Sequence, residues 1–123
     1  LPYHRPADGA LTQLTDARSL ARAAGVASAL GATSAHTWLK MPACDEPEEV
    51  FGATTLPCVV LGGMPGPDPQ ADLRSWGRTL LQPVVRGLVV GRALLYPPDG
   101  DVASAVAAAA RVLAASCDEG VGR

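Results

Sequence analysis

The sequence has few aromatic residues and no excess of basic charge. Aromatic residues make up only 4% of the 123 residues, so a stacking platform for single-stranded nucleic acid is not expected. The formal net charge of −2 provides no basic surface for nucleic acid or for an anionic membrane. No apolar run approaches the roughly 20 residues that a membrane-spanning helix needs. Nucleic acid and membrane are therefore not expected as partners.

Cysteine is also scarce. The residues Cys44, Cys58 and Cys117 form an odd number and include no C-x-x-C pair. This pattern argues against a disulfide framework, a zinc site and secretion. We therefore expect a cytoplasmic location. Metal-ligand spacing, a G-x-G-x-x-G fingerprint and a P-loop are also absent from the sequence, and we expect neither a metal nor a cofactor. The chain opens on Leu1 without an initiator methionine or a signal-peptide pattern, so we expect it to be a piece of a longer protein.

The apolar residues alternate between helical spacing and short continuous runs. Helices are expected over about 16–30, over 47–53, from Asp68-Pro69 to beyond Leu80, and from Asp101 onward. Short apolar strands are expected over 36–41, 58–61 and 87–90. Strands that are separated by helices indicate a parallel sheet with helical cover.

Two architectures have this order of elements, an open doubly wound sheet and part of a (β/α)₈ barrel. Three strands are few for an open sheet, and the chain is about half as long as the roughly 250 residues of a complete barrel. We therefore predict a partial (β/α)₈ barrel over residues 1–117, followed by a disordered tail over 118–123. Three such strands would leave two unpaired edges and expose interior residues such as Val60 and Val89, so self-association is expected.

Lys40 is the first candidate for chemistry, because it is the one lysine beside nine arginines. It lies at the end of a predicted strand, where functional residues of parallel α/β folds gather. Trp38, Leu39 and Met41 suggest apolar surroundings, although strand alternation points Leu39 and Met41 away from Lys40. A desolvated lysine can act as an amine nucleophile, whereas an arginine cannot. The alternative, without a catalytic role, is a lysine whose ammonium group reaches solvent from the strand end.

Glycines follow the next two predicted strands. Gly62 and Gly63 follow the second strand, and Gly91 with Arg92 follows the third. Each pair alone is compatible with a plain turn, but glycine also lets a ligand approach the backbone, and arginine binds oxyanions. Taken together, the two pairs predict a phosphate or other anion site. His36 is a weaker candidate for the same pocket, because a lone histidine is more often structural.

These motifs resemble the C-terminal half of class I aldolase-type barrels. The resemblance rests on Thr37–Pro42, Pro57–Gly63 and Gly87–Pro97, and it extends from about residue 1 to residue 113. The sequence looks most similar to actinobacterial deoxyribose-phosphate-aldolase-like proteins that are encoded with inositol catabolism. The resemblance implies that the three strands are the sixth, seventh and eighth of a barrel.

The resemblance also implies a function. Lys40 would form the Schiff base of a metal-independent aldolase, and Gly62, Gly63, Gly91 and Arg92 would hold the phosphate of a small carbohydrate substrate. The chain lacks the lysine-centred signature of true deoxyribose-phosphate aldolases and the acid/base residues of earlier strands, so the isolated segment is expected to be inactive. The complete protein is expected to be a homo-oligomer. The alternatives are another phosphate-binding barrel enzyme, such as a sugar-phosphate isomerase with an electrostatic Lys40, and an inactive half-barrel or scaffold.

Overall fold

A computed structural model describes residues 1–121, and it contains helices and strands in alternation after a short hairpin. In chain order the elements are β1 (Tyr3–His4), β2 (Thr12–Gln13), α1 (Ala17–Ser28), a 3₁₀ turn (Ser34–His36), β3 (Leu39–Pro42), α2 (Pro47–Gly52), β4 (Cys58–Leu61), α3 (Pro69–Leu80), β5 (Val85–Val89), α4 (Arg92–Leu95) and α5 (Val102–Val121). Residues 122 and 123, the end of the predicted tail, lie outside the described residues.

The strands form two sheets. β1 and β2 pair antiparallel as a small hairpin, and β3, β4 and β5 form a parallel sheet in that order. Lys40 pairs with Val59, and Leu61 pairs with Val89. A register irregularity between Cys58 and Val60 lets β5 take one additional residue.

The helices cover one face of the parallel sheet. Strand alternation sends Leu39, Met41, Cys58 and Val60 toward this face, and all four are buried. Helix α1 contacts β3, and α3 contacts β4 and β5. The helices contribute a second set of buried side chains to the same core, including Leu20, Val50, Phe51, Trp76 and Leu80.

Helical spacing predicts one apolar stripe in α1 and one in α3, formed by Leu20, Ala23, Ala24 and Ala27 and by Leu73, Trp76 and Leu80. Leu20, Ala24, Trp76 and Leu80 are buried, and Ala27 and Leu73 pack against the core.

The opposite face of the sheet has no helical cover among the described residues. Lys40 and Val89 are exposed on this face, and Val59 and Leu61 between them are half-buried. The prediction that Val60 belongs to the exposed set is wrong, because Val60 is fully buried against the helices. Val60 is one residue away from Val59 and Leu61, and neighbouring residues of a strand point to opposite faces.

The prediction of a partial (β/α)₈ barrel is wrong. The chain folds as a small α/β domain in which a three-stranded parallel sheet and a two-stranded antiparallel sheet are separate. Alternating strands and helices occur both in open sheets and in barrels, because each crossover places a helix on the sheet in the same way. The element pattern therefore does not distinguish the two architectures.

Several elements differ locally from the expected ones. His36 lies in the 3₁₀ turn, and the strand begins only at Leu39. The short helix α4 was not expected. Helical spacing predicts a buried stripe of Val102, Val106, Ala109 and Leu113 in α5. This prediction is mostly wrong, because Ala109 is buried but the other three side chains are exposed. An alanine-rich helix has no strong apolar contrast between its faces, so periodicity alone assigns its buried side poorly.

Helix α5 continues to Val121 and so includes residues 118–121 of the predicted tail.

Among residues 1–121, every helix is too short or too polar to span a membrane.

Candidate functional site

The five residues that the sequence analysis placed at strand ends line one cavity. We call the cavity the strand-end site, and its volume is about 370 Å³. Its lining consists of Lys40, Leu61, Gly62, Gly63, Val89, Val90, Gly91 and Arg92. Parallel strands have their carboxyl ends at one edge of the sheet, so residues that are distant in sequence meet there.

Lys40 enters the site from β3 on the uncovered face of the sheet. It is exposed, whereas its neighbours Leu39 and Met41 are buried toward the helices. Trp38 is 57% exposed and does not bury the lysine. The apolar surroundings suggested by the sequence therefore belong to the other face.

Gly62 allows β4 and the segment after β5 to approach each other closely. Its amide N–H donates to the carbonyl oxygen of Val89 at 3.1 Å. A Cβ atom at position 62 would lie only 2.5 to 2.9 Å from three side-chain atoms of Val90. Gly63 has a φ of +67°, a left-handed conformation that glycine adopts without steric cost. The two glycines are thus required by packing and backbone conformation, independently of any ligand.

Gly91 and Arg92 form the opposite side of the site. The Gly91 carbonyl oxygen accepts from the amides of Leu94 and Leu95, both at 3.0 Å, and so begins helix α4. Arg92 is exposed, and its Nη1 donates to the Sδ atom of Met64, which is itself exposed. A thioether is a weak acceptor. An oxyanion would therefore be a stronger partner than Met64 for the guanidinium.

His36 is not among the described residues that line this cavity. It is exposed in the 3₁₀ turn that precedes β3. Val89, which was expected among the interior side chains, and Leu61 also line the cavity, and the strand register pairs them on the face that carries Lys40. Sequence reasoning missed the lining residue Val90 and the contact of Met64 with Arg92.

The cysteines do not contribute a reactive thiolate to the site. Burial raises the pKa of Cys58, and it also raises the pKa of Cys44, where neighbouring carboxylates add to the effect. Cys44, Cys58 and Cys117 are free thiols. Within residues 1–121 no group of three or more histidine, cysteine or acidic residues could hold a metal ion.

Replacing Gly62 with alanine is expected to destabilise the protein. The added methyl group would overlap the branched side chain of Val90, and overpacking of this kind costs about 1–3 kcal/mol. The free energy of unfolding, measured by urea denaturation, should fall by this amount. A combined Gly62→Ala and Val90→Ala variant should lose less than the sum of the two single variants, because the smaller residue removes the overlap.

Gly25→Ala provides the matched control. Gly25 lies in helix α1, and a Cβ atom there would meet nothing within 4 Å. This variant should gain about 0.5–1 kcal/mol, because alanine is the better helix former. Unchanged stability of Gly62→Ala would contradict the close approach of Gly62 and Val90.

Comparisons with known proteins relate the chain to one family. The sequence model of the Cgl0159-like family matches residues 1–110. The crystal structure of Cgl0159 from Corynebacterium glutamicum superposes with a TM-score of 0.80 and 43% sequence identity. The match covers 86% of this chain and 35% of Cgl0159, so the chain spans about one third of the length of that protein. No curated protein matches the chain.

These matches correct the family assignment made from the motifs. The resemblance to class I aldolase-type barrels, and to the deoxyribose-phosphate-aldolase-like proteins of inositol catabolism, is wrong, because the family that matches is a different one. The motifs that carried the resemblance are short apolar strands followed by glycine, and parallel α/β proteins of many families share them. The chain belongs to the Cgl0159-like family.

Proposed function

We propose that the strand-end site binds a small phosphorylated carbonyl compound and that Lys40 forms an imine with its carbonyl group. The reaction would be the reversible cleavage of a carbon–carbon bond, without a metal or an organic cofactor. The observation that carries the proposal is the shared cavity, in which Lys40 lies on one side and Gly91 and Arg92 lie on the other. The family comparison names no activity, so the proposal rests on this geometry.

The anion part of the proposal rests on Arg92 and the glycine backbone. The planar guanidinium can donate two parallel hydrogen bonds to phosphate oxygens. Gly63 and Gly91 carry no side chain, so a phosphate can come close to the backbone there. Apart from Lys40 and Arg92, the residues that line the cavity are uncharged, and no carboxylate among them would repel the anion.

The carbonyl part of the proposal rests on Lys40. Its neutral amine would attack the carbonyl carbon, and loss of water from the carbinolamine would give an iminium ion. A solvent water would take the proton of the hydroxyl group on the carbon β to the iminium carbon, and that carbon would become the carbonyl carbon of a departing aldehyde. The electron pair of the broken carbon–carbon bond would pass to the iminium nitrogen, so that an enamine forms. Protonation of the enamine carbon and hydrolysis of the imine would return the free amine and release the second product.

A second candidate function is phosphate binding with Lys40 as an electrostatic group only. No carboxylate or imidazole lines the described cavity, so the described residues provide no general acid or base for the proton transfers. This observation favours a binding site or scaffold over a complete catalytic centre. Trapping of the imine distinguishes the two candidates, because an electrostatic lysine forms no reducible adduct.

The proposal also includes the setting of the protein. We place it in the cytoplasm, since three free thiols are typical of a reducing compartment. The proposed partner is a small phosphorylated carbohydrate, with neither nucleic acid nor a membrane as a partner. The complete protein is proposed to form a homo-oligomer.

Arg92→Ala tests the anion site. We expect binding of a phosphorylated compound such as glyceraldehyde 3-phosphate to weaken by about 1.5 kcal/mol, roughly tenfold, the lower end of the range for a hydrogen bond to a charged group, because Arg92 is exposed. Binding of unphosphorylated glyceraldehyde should change much less. Isothermal titration calorimetry with the 123-residue chain measures both affinities.

Arg22→Ala is the matched control for this measurement. Arg22 is an exposed arginine on helix α1, outside the strand-end site. Its removal changes the net charge equally and should leave both affinities unchanged. Equal losses for the two compounds in Arg92→Ala would show that Arg92 has a structural role only.

A further inference from the structure

A second cavity lies on the helical side of the domain, apart from the strand-end site. We call it the proline groove, and its volume is about 250 Å³. Its walls include five prolines, Pro65, Pro67, Pro69, Pro97 and Pro98. Leu73, Trp76 and Leu94 contribute to its apolar lining, and Trp76 is only 4% exposed.

The charged residues that line the proline groove are all acidic. Asp72, Asp99 and Asp101 line it, and no lysine, arginine or histidine is among the described lining residues. Each carboxylate also has a local structural partner. Asp72 accepts from the amide of Gly66 at 2.9 Å, Asp99 from the amide of Asp101 at 3.0 Å, and Asp101 from Ser104.

These hydrogen bonds do not neutralise the negative charge of the proline groove. Helices α3 and α5 both begin beside it, and each helix N-terminus is equivalent to about +0.5 charge. The three carboxylates therefore leave a net charge of roughly −2 after both helix dipoles are counted. The hydrogen bonds that Asp101 accepts from Ser104 lower the pKa of its carboxyl group.

We propose that the proline groove docks an arginine side chain that an otherwise apolar segment of a partner protein presents. The negative charge selects a cation, and the guanidinium can bind carboxylates through two parallel hydrogen bonds. The proline and leucine walls complement apolar neighbours of that arginine. The volume is below the roughly 300–1,000 Å³ of pockets for drug-sized ligands, which favours one side chain of a docked segment over a separate small molecule.

Tryptophan fluorescence provides a local readout of docking. The chain has two tryptophans, and Trp38→Phe leaves Trp76 in the groove as the single emitter. The probe is the pentapeptide Ala-Leu-Arg-Leu-Ala, blocked at both ends, and its control replaces arginine with uncharged citrulline. We expect a saturable change of Trp76 emission, with the citrulline peptide bound at least fivefold more weakly. Equal affinities of the two peptides would overturn the proposal.

Two aspartate variants and one control complete the test. Asp99→Asn and Asp72→Asn keep a side-chain oxygen for the local hydrogen bonds but remove the charge, and each should weaken the arginine peptide about threefold. Asp8→Asn removes an exposed charge outside the groove and should change nothing. Equal losses in all three variants would overturn the proposal, because they would reflect net charge alone. Blocked single arginine that binds as tightly as the pentapeptide would also overturn it and would indicate a small-cation site.

Discussion

A covalent adduct at Lys40 is the main expected result when the 123-residue chain is treated with glyceraldehyde 3-phosphate and sodium borohydride. The amine and the aldehyde condense to an imine with loss of one water, and hydride from borohydride reduces the imine to a stable secondary amine. Because Lys40 is the one lysine in the sequence, the mass increase of a single peptide identifies the site. The Leu1 amine is the competing nucleophile, and peptide mapping separates it from Lys40.

Lys40→Arg should abolish the adduct at this position. Guanidinium keeps the positive charge but does not act as an amine nucleophile. The substitution therefore preserves the charge of the site and removes its ability to form an imine. A residual adduct on Leu1 should be the same in both proteins. An unmodified Lys40 in the parent chain would overturn the imine proposal and leave the phosphate-binding candidate.

Phosphate should accelerate the labelling of Lys40. Lys40 is exposed, so we expect its selectivity to come from a substrate that Arg92 holds beside it. Glyceraldehyde 3-phosphate should label Lys40 about tenfold faster than glyceraldehyde, and Arg92→Ala should remove this difference while both rates remain measurable. Equal rates in the parent chain would show that Lys40 reacts only as an exposed surface amine.

Self-association is the second large expected effect. Within residues 1–121, β3 and β5 are the unpaired edges of the parallel sheet, and the face without helical cover exposes Val89 at 46%. Unpaired backbone groups and exposed apolar side chains on a sheet favour pairing with other chains. Sedimentation velocity at micromolar concentrations should therefore show dimers or larger species. A monodisperse monomer across this range would contradict the expectation.

Val89→Lys should shift the distribution toward monomer. The substitution places a second cation near Lys40 on the same face, so two copies of the face would repel each other. Val26→Lys is the matched control, because Val26 is 57% exposed on helix α1, away from the sheet. The control variant should associate as the parent chain does. An equal effect of both substitutions would indicate that net charge, rather than the sheet face, governs association.

The candidate site could be predicted largely from sequence because four of its five predicted residues follow strands. The Gly62-Gly63 and Gly91-Arg92 pairs come just after β4 and β5, and the carboxyl ends of parallel strands share an edge. Lys40 differs, because it is the second residue of β3 and lines the cavity from within the strand. His36 lies outside the cavity lining, because strand β3 begins only at Leu39, three residues after His36. The predicted run included His36 on hydrophobic pattern alone, and strand boundaries are the least reliable part of such a pattern.

The sequence by itself determined the alternation of helices and strands, the buried stripes of α1 and α3 and the positions of the strand-end glycines. These features depend on contacts and conformations local to a few residues, such as the positive φ of Gly63. The tertiary structure decided that three strands form a sheet with one face that the described helices leave uncovered. It also decided that Lys40 is exposed and that Val102 and Val106 of α5 face solvent. These properties depend on which elements pack together. Hydrophobic periodicity identifies the apolar face of a single helix or strand, but it does not identify the element against which that face packs.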